Sequence, residues 1–143
     1  MKPKVCLIGI DGLRLNLARG THKMPTLDAV IGEGVFNELT MEVPTLSGPG
    51  WSTLLTGASH AVHGVKDNHF VGHQLLHCPD FLSRAYFADQ STTTTVAAGW
   101  PPLADPTDTG PVVWERREKQ RAGHGVRLLL RRRRRPCLRP TRC

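Results

Sequence analysis

An uninterrupted apolar run, Val5 to Ile10, ends abruptly at Asp11-Gly12 and constrains the fold more than any other stretch. A continuous apolar run that contains β-branched residues, without alternation, predicts a strand covered on both faces, as at the centre of a parallel sheet. Open α/β sheets place their chemistry just beyond the carboxyl ends of such strands. Asp11 is therefore a candidate for holding a metal or polarising a substrate. The simpler alternative is that Asp-Gly only forms a turn.

Charge is distributed unevenly along the 143 residues and divides the chain into two segments. Residues 1–114 carry seven Lys/Arg and ten Asp/Glu, a net charge of −3, whereas residues 115–143 carry twelve and two, a net charge of +10. We place the boundary after residue 121, with a globular domain over 1–121 and a disordered Arg-rich tail over 122–143. The tail is either a basic arm that binds nucleic acid or the product of a GC-rich gene read out of frame.

The cysteines and the apolar runs indicate the cellular compartment of the protein. Cys6 lies inside the first apolar run and is expected to be a small buried hydrophobe. The scattered cysteines form no CxxC pair, so neither a disulfide framework nor a structural zinc site is expected. The run from Val5 is too short for a membrane span and lacks a signal-peptide pattern. The sequence therefore predicts a cytoplasmic protein with no membrane partner.

Helical and strand patterns follow one another along residues 24–98, as in an α/β protein. Pro25, the stripe of apolar residues after it and Gly34 predict one helix with its C-terminal cap. The other predicted elements are a strand over Val35–Val43, a helix over Trp51–Thr56, a short helix over Phe81–Asp89 and a strand over Ser91–Ala98.

Ser47 is a candidate nucleophile because it immediately precedes a predicted helix. Pro49 is tolerated only near a helix start, so Ser47 lies at or next to the helix N-terminus. Backbone N–H groups and the helix dipole at that end favour an anion and lower the cost of forming an alkoxide. The alternative is that Ser47 is an ordinary N-cap, which is a common role for serine.

His69, His73 and His77 recur at every fourth position, and Cys78 follows them. On a helix this spacing would line one face and could bind a metal. Surface or packing histidines are the commoner outcome of such a pattern, and Val71-Gly72 weakens the helix, so both interpretations stay open.

Six segments together resemble the type I phosphodiesterase/nucleotide pyrophosphatase family of the alkaline phosphatase superfamily. They occur in the family's order over about the first seventy residues: Ile8-Gly-Ile-Asp-Gly-Leu-Arg14, Met24-Pro-Thr-Leu-Asp28, Gly32-Glu-Gly-Val35, Pro44-Thr-Leu-Ser-Gly-Pro49, Leu54-Leu-Thr-Gly57 and His63-Gly-Val-Lys-Asp-Asn68. The resemblance implies the N-terminal half of an alkaline-phosphatase-like α/β fold, a mostly parallel sheet flanked by helices.

The resemblance also implies roles for individual residues. Asp11 matches a zinc ligand, Ser47 matches the nucleophile that also ligates a metal, and Asn68 matches the asparagine that holds a phosphoryl oxygen. Thr45 matches a hydroxyl two places before the nucleophile. The implied activity is metal-dependent hydrolysis of a phosphoester or nucleotide, with two divalent metals, taken as zinc, in the complete site.

Two departures qualify the implied activity. Many phosphodiesterases of this family carry Thr where this chain has Ser47, whereas alkaline phosphatases carry Ser, so a phosphomonoesterase is a second possibility. The family's downstream Asp-x-x-x-His and Asp-His ligand motifs do not occur in these residues. We therefore expect the chain to be truncated and inactive as given; a non-catalytic fragment with a nucleic-acid-binding tail is the remaining alternative.

Overall fold

The computed structural model describes residues 4–20, 24–113 and 127–128. The chain divides into two compact units, Met1–Thr40 and Met41–Cys143. The helices of the described residues are α1 (Leu15–Gly20), α2 (Pro25–Glu33), α3 (Ser47–Thr56), α4 (His60–His63) and α5 (Phe81–Ala88). Short 3-10 helices span Leu75–His77 and Pro101–Leu103, and the strands are β1 (Thr95–Val96) and β2 (Arg127–Leu128).

In the first unit, α2 confirms the helix predicted from the proline and the apolar stripe. Pro25 is its first residue, where the missing N–H is not needed, and Gly34 follows at the C-cap. Gly34 is extended, with φ −118°, so the helix does not end in the left-handed conformation typical of a glycine cap. α2 has no fully buried residue, and Val30 in its apolar stripe is exposed.

The apolar run that predicted a central strand has no regular secondary structure. Val5, Ile8 and Ile10 are exposed, and Cys6, predicted to be buried, is exposed as well. A strand is stabilised by hydrogen bonds to neighbouring strands, and no strand within residues 4–20 and 24–113 pairs with this run. The part of the chain that the structure describes therefore supplies no strand partner to this run, and Cys6 stays exposed.

The strand predicted over Val35–Val43 is also not formed, and most of its apolar side chains are exposed. The strand predicted over Ser91–Ala98 shortens to β1, which pairs in parallel with β2, Thr95 opposite Arg127. β2 lies within the segment predicted as an Arg-rich tail, and the rest of that tail lies outside the described residues. The larger α/β sheet and the tail stay predictions.

The second unit is built around a core to which helices and loops both contribute. Its buried apolar residues include Leu55 of α3, Val65, Phe70 and Val112, and the side chains of Trp51 and Trp100 pack against them. Gly57 is the C-cap of α3. Its φ of +71° is left-handed, and its N–H donates to the Thr53 carbonyl. The core thus joins α3 to the loop that follows α4.

α5 (Phe81–Ala88) confirms the short helix predicted over Phe81–Asp89. Its N-cap is Asp80, a buried carboxylate that accepts hydrogen bonds from the Ser83 N–H at 3.0 Å and the Ser83 hydroxyl at 2.6 Å.

Within the described residues, no helix is long and apolar enough to cross a membrane.

Candidate active site

Ser47 is the first residue of α3, and the predicted helix over Trp51–Thr56 therefore begins four residues earlier than expected. Leu46 is the N-cap residue, and its side chain makes no capping hydrogen bond. The alternative that Ser47 is an ordinary N-cap is therefore wrong. Ser47 is half-buried, so its position on the first turn combines partial exposure with the positive end of the helix dipole.

Asn68 lies against the same helix terminus, although it is twenty residues from Gly48 in sequence. The Gly48 N–H donates to Asn68 Oδ1 at 2.7 Å, a partly buried hydrogen bond. Gly48 immediately follows Ser47, so this bond brings the two residues predicted to act on one phosphoryl group to the same turn. Because the carbonyl half of the Asn68 amide is bonded, its two-hydrogen donor half is the part suited to a phosphoryl oxygen.

Gly48 permits this approach because it has no side chain. An added Cβ would lie 2.5 Å from the Asp67 carbonyl oxygen and 3.1 Å from Asn68 Oδ1, and the first of these distances is too short for any real contact. The backbone of Asp67 and Asn68 therefore packs directly on the first turn of α3. Sequence reasoning placed Gly48 in a motif but gave it no role.

The start of α3 offers fewer N–H donors to an anion than the sequence suggested. Pro49 has no N–H, Asn68 accepts the N–H of Gly48, and the Gly50 N–H donates to the Leu46 carbonyl at 2.9 Å. A substrate phosphoryl group would therefore meet this terminus mainly through the Asn68 amide and the helix dipole, rather than through a row of backbone amides.

Asp11 lies in the first unit, where it forms a turn with Gly12 and is exposed. Gly12 has a φ of +70°, the left-handed conformation that glycine adopts without strain. Within the described residues, no three His, Cys, Asp or Glu side chains are grouped so that they could hold a metal ion. The two oxygen ligands predicted from the sequence, Asp11 and Ser47, are fewer than the three protein ligands of a catalytic zinc site. Residues 4–20, 24–113 and 127–128 therefore do not make up a zinc site by themselves.

The regularly spaced histidines do not form the metal-binding face that one helix would give them. His69 lies in a turn and donates its N–H to Asp67, His73 accepts the Leu75 N–H at Nδ1 over 3.2 Å, and His77 ends a 3-10 helix. Desolvation by burial lowers the pKa of His73. The interpretation as packing and surface histidines explains the cluster better than a metal site.

His63 is a site residue that sequence reasoning included in a motif without a role. It is fully buried at the end of α4, its Nδ1 accepts the Val65 N–H, and its Nε2 lies 3.0 Å from Thr53 Oγ1 of α3. Burial and the neighbouring His60 lower the pKa of His63, while the Glu42 carboxylate opposes them. The neutral imidazole is therefore favoured near neutral pH.

His60 and Glu42 lie beside this imidazole. The rings of His60 and His63 are 5.3 Å apart, and the backbone N–H of His60 donates to Glu42 Oε2 at 2.8 Å. His60 Nδ1 is 3.9 Å from the same carboxylate oxygen, and within the described residues neither buried ring nitrogen of His60 makes a hydrogen bond.

A family model described as type I phosphodiesterase / nucleotide pyrophosphatase matches residues 5–129. The match covers most of the chain and includes Asp11, Ser47, His63 and Asn68. No curated protein and no solved structure gives a significant match.

Proposed function

The chain belongs to the type I phosphodiesterase/nucleotide pyrophosphatase family, and on that premise we propose that it carries the nucleophile part of a metal-dependent phosphoester hydrolase. The family membership makes it a hydrolase of the phosphodiesterase/nucleotide pyrophosphatase type, with phosphoesters or nucleotides as the substrate class. The observation that supports the finer proposal is the 2.7 Å bond between the Gly48 N–H and Asn68 Oδ1, next to Ser47.

Each residue of this turn has one proposed role. The Ser47 hydroxyl oxygen attacks phosphorus while the bond from phosphorus to the leaving alkoxide breaks, and the hydroxyl proton passes to solvent. The positive end of the α3 dipole stabilises negative charge on the attacking oxygen, and water later releases the phosphoryl group from Ser47. The Asn68 amide donates to a non-bridging phosphoryl oxygen, where negative charge accumulates during the transfer. Gly48 allows the amide to approach the helix terminus.

We propose zinc as the metal of the complete site, with Asp11 and Ser47 as two of its ligands. The described residues do not complete such a site. We further propose that activity requires ligands like those of the Asp-x-x-x-His and Asp-His motifs, which the 143 residues do not contain. In a protein that carries those motifs, Val5–Ile10 would form a strand of a mostly parallel sheet in an alkaline-phosphatase-like α/β fold.

The test uses a longer form of the protein that also carries those two ligand motifs. Hydrolysis of bis(nitrophenyl) phosphate is measured for the parent, Ser47→Ala, Asn68→Ala and the control Thr45→Ala, which removes a hydroxyl two residues before the helix. We expect Ser47→Ala to abolish nearly all activity, Asn68→Ala to lower kcat about a hundredfold, and Thr45→Ala to have little effect. Loss of activity in Thr45→Ala with retention in Ser47→Ala would contradict the proposal.

The same assay with nitrophenyl phosphate distinguishes a diesterase from a monoesterase. A higher kcat/KM for the diester supports the phosphodiesterase assignment. A higher kcat/KM for the monoester would favour the phosphomonoesterase alternative that Ser47 leaves open.

A further inference from the structure

We propose that His63 is a positioning residue that links α3 to the segment Gly64–Asn68, here called the Asn68 loop, and so holds Asn68 at the start of α3. The importance of that position for catalysis depends on the proposed function, but the link itself is a property of the folded chain.

The hydrogen bonds of the His63 ring determine which nitrogen carries the proton. A backbone N–H can only donate, so Nδ1, which lies 3.0 Å from the Val65 nitrogen, must be the unprotonated acceptor. In a neutral imidazole the proton is then on Nε2, which donates to Thr53 Oγ1 at 3.0 Å. One ring therefore joins α3 to the beginning of the Asn68 loop, and both contacts require this neutral tautomer.

The Asn68 loop depends on such links because Asn68 itself is exposed and gains little from burial. Before it, Val65 is fully buried in the core, and the His63 carbonyl accepts the Gln74 N–H at 2.7 Å. After it, Phe70 is buried although its φ is +59°, a conformation that is unfavourable for a bulky side chain. The chain is thus fixed on both sides of Asn68, with His63 providing the connection to α3.

Protonation of His63 would break its contact with Val65, while Nε2–H would still donate to Thr53 Oγ1. The imidazolium has a proton on both nitrogens, so Nδ1 could no longer accept the Val65 N–H. The charged and titratable neighbours of the ring are His60 and Glu42, and full burial disfavours the charged form.

The matched control is His73, which repeats half of the arrangement. Its Nδ1 accepts the N–H two residues ahead, that of Leu75, but no described hydrogen bond joins its ring to α3. Asparagine can replace an imidazole as the acceptor of an N–H two residues ahead, as in an Asx turn. His63→Asn therefore keeps the link to Val65 and loses the link to Thr53. His73→Asn likewise keeps an acceptor for the Leu75 N–H but removes no described hydrogen bond to α3.

The test measures amide hydrogen exchange by NMR on the 143-residue chain, with the Ser83 amide of α5 as an internal reference for global unfolding. We expect the Gly48 amide to exchange about two- to tenfold faster in His63→Ala, the effect of losing hydrogen bonds of ordinary net strength. A smaller increase is expected in His63→Asn and in Thr53→Val, and none in His73→Asn. Adding Thr53→Val to His63→Asn should not increase the exchange rate further, because each substitution removes the same hydrogen bond between His63 Nε2 and Thr53 Oγ1.

The tautomer is checked on the unsubstituted chain, so this part of the test does not depend on the folding of a variant. Nitrogen chemical shifts of the His63 ring at pH 7.5 should show the proton on Nε2. An imidazolium, or a proton on Nδ1, would overturn the proposal, as would Gly48 exchange that is unchanged in His63→Ala while the Ser83 amide stays protected. Neither readout involves catalysis, so a failure of Ser47 as nucleophile would be recognised separately.

Discussion

At the scale of single residues, the candidate site is a contact between a helix start and a loop that only glycine allows. The Gly48 N–H donates to Asn68 Oδ1, and the absence of a side chain at Gly48 leaves room for the Asp67 carbonyl. Ser47 is the residue immediately before Gly48 in the chain. The sequence marked Ser47 and Asn68 as candidates, but it did not show this contact, because residues twenty positions apart meet only through the tertiary fold.

Gly48→Ala should lower the free energy of unfolding by about 1–3 kcal/mol, because its Cβ would lie against the backbone of Asp67. The control is Gly50→Ala in the same helix, where an added Cβ has nothing within 4 Å. That substitution should be neutral or stabilise by about 0.5–1 kcal/mol, the usual gain over glycine in a helix. Urea denaturation measures both, and equal effects of the two substitutions would contradict the tight packing at Gly48.

The buried histidine predicts a pH dependence of stability. The pKa of His63 is lowered in the folded chain by burial, so below about pH 6.5 the unfolded chain binds more protons than the folded one. The stabilisation is complete above that pH and is lost as the pH falls through the folded pKa. The loss of unfolding free energy between pH 7.5 and pH 5 should be smaller in His63→Asn than in the parent.

His73 acts in the same direction, since burial lowers its pKa too. His73→Asn should therefore also reduce the pH dependence, but it should leave the Gly48 amide exchange unchanged. A pH dependence in His63→Asn equal to that of the parent would contradict a buried neutral imidazole at position 63.

At the scale of secondary structure, helices were predicted better than strands. α2 formed where proline, apolar spacing and Gly34 placed it, and α5 formed within the range predicted for a short helix, because a helix satisfies its own backbone hydrogen bonds. The apolar runs Val5–Ile10 and Val35–Val43 formed no strand, because a strand requires partners that the described residues do not supply to them. Local sequence can specify a helix, whereas a strand depends on the rest of the sheet.

α5 supplies a test of local capping. Asp80→Ala removes a buried N-cap carboxylate that accepts two hydrogen bonds from Ser83 and should lower the free energy of unfolding by at least about 1–2 kcal/mol. Asp80→Asn keeps an oxygen acceptor for the Ser83 N–H and should have a smaller effect. Urea denaturation of the two variants that gave equal losses would show that the cap hydrogen bond to the Ser83 N–H is unimportant.

At the scale of the whole chain, family membership came from several short segments in order rather than from any one residue. The family model covers residues 5–129, and Asn68, which the resemblance paired with Ser47, accepts the N–H of Gly48 at the start of α3. The roles of His63 and Gly48 could not be predicted, because a ring tautomer and an absent Cβ have meaning only once their neighbours are known. The metal site could be predicted only in part, since two oxygen ligands do not define it.

The basic C-terminal segment gives a further prediction for the whole chain. If residues 122–143 are a functional arm, the chain should bind duplex DNA with an affinity that falls steeply as salt rises, and deletion of the segment should abolish binding. Filter binding between about 50 and 200 mM salt measures this. DNA binding that survives the deletion would contradict the arm, and absence of binding by the intact chain would favour the out-of-frame origin.

The most direct test asks whether Ser47 can act without the further metal ligands. It compares the 143-residue chain with its Ser47→Ala variant in hydrolysis of bis(nitrophenyl) phosphate with zinc present. A helix N-terminus contributes about 0.3–2 kcal/mol, which corresponds to at most one to two powers of ten in rate. That is too little to replace the metals on which this chemistry depends. We expect equal rates for the two chains, and turnover by the 143-residue chain that depends on Ser47 would contradict the proposed need for further metal ligands.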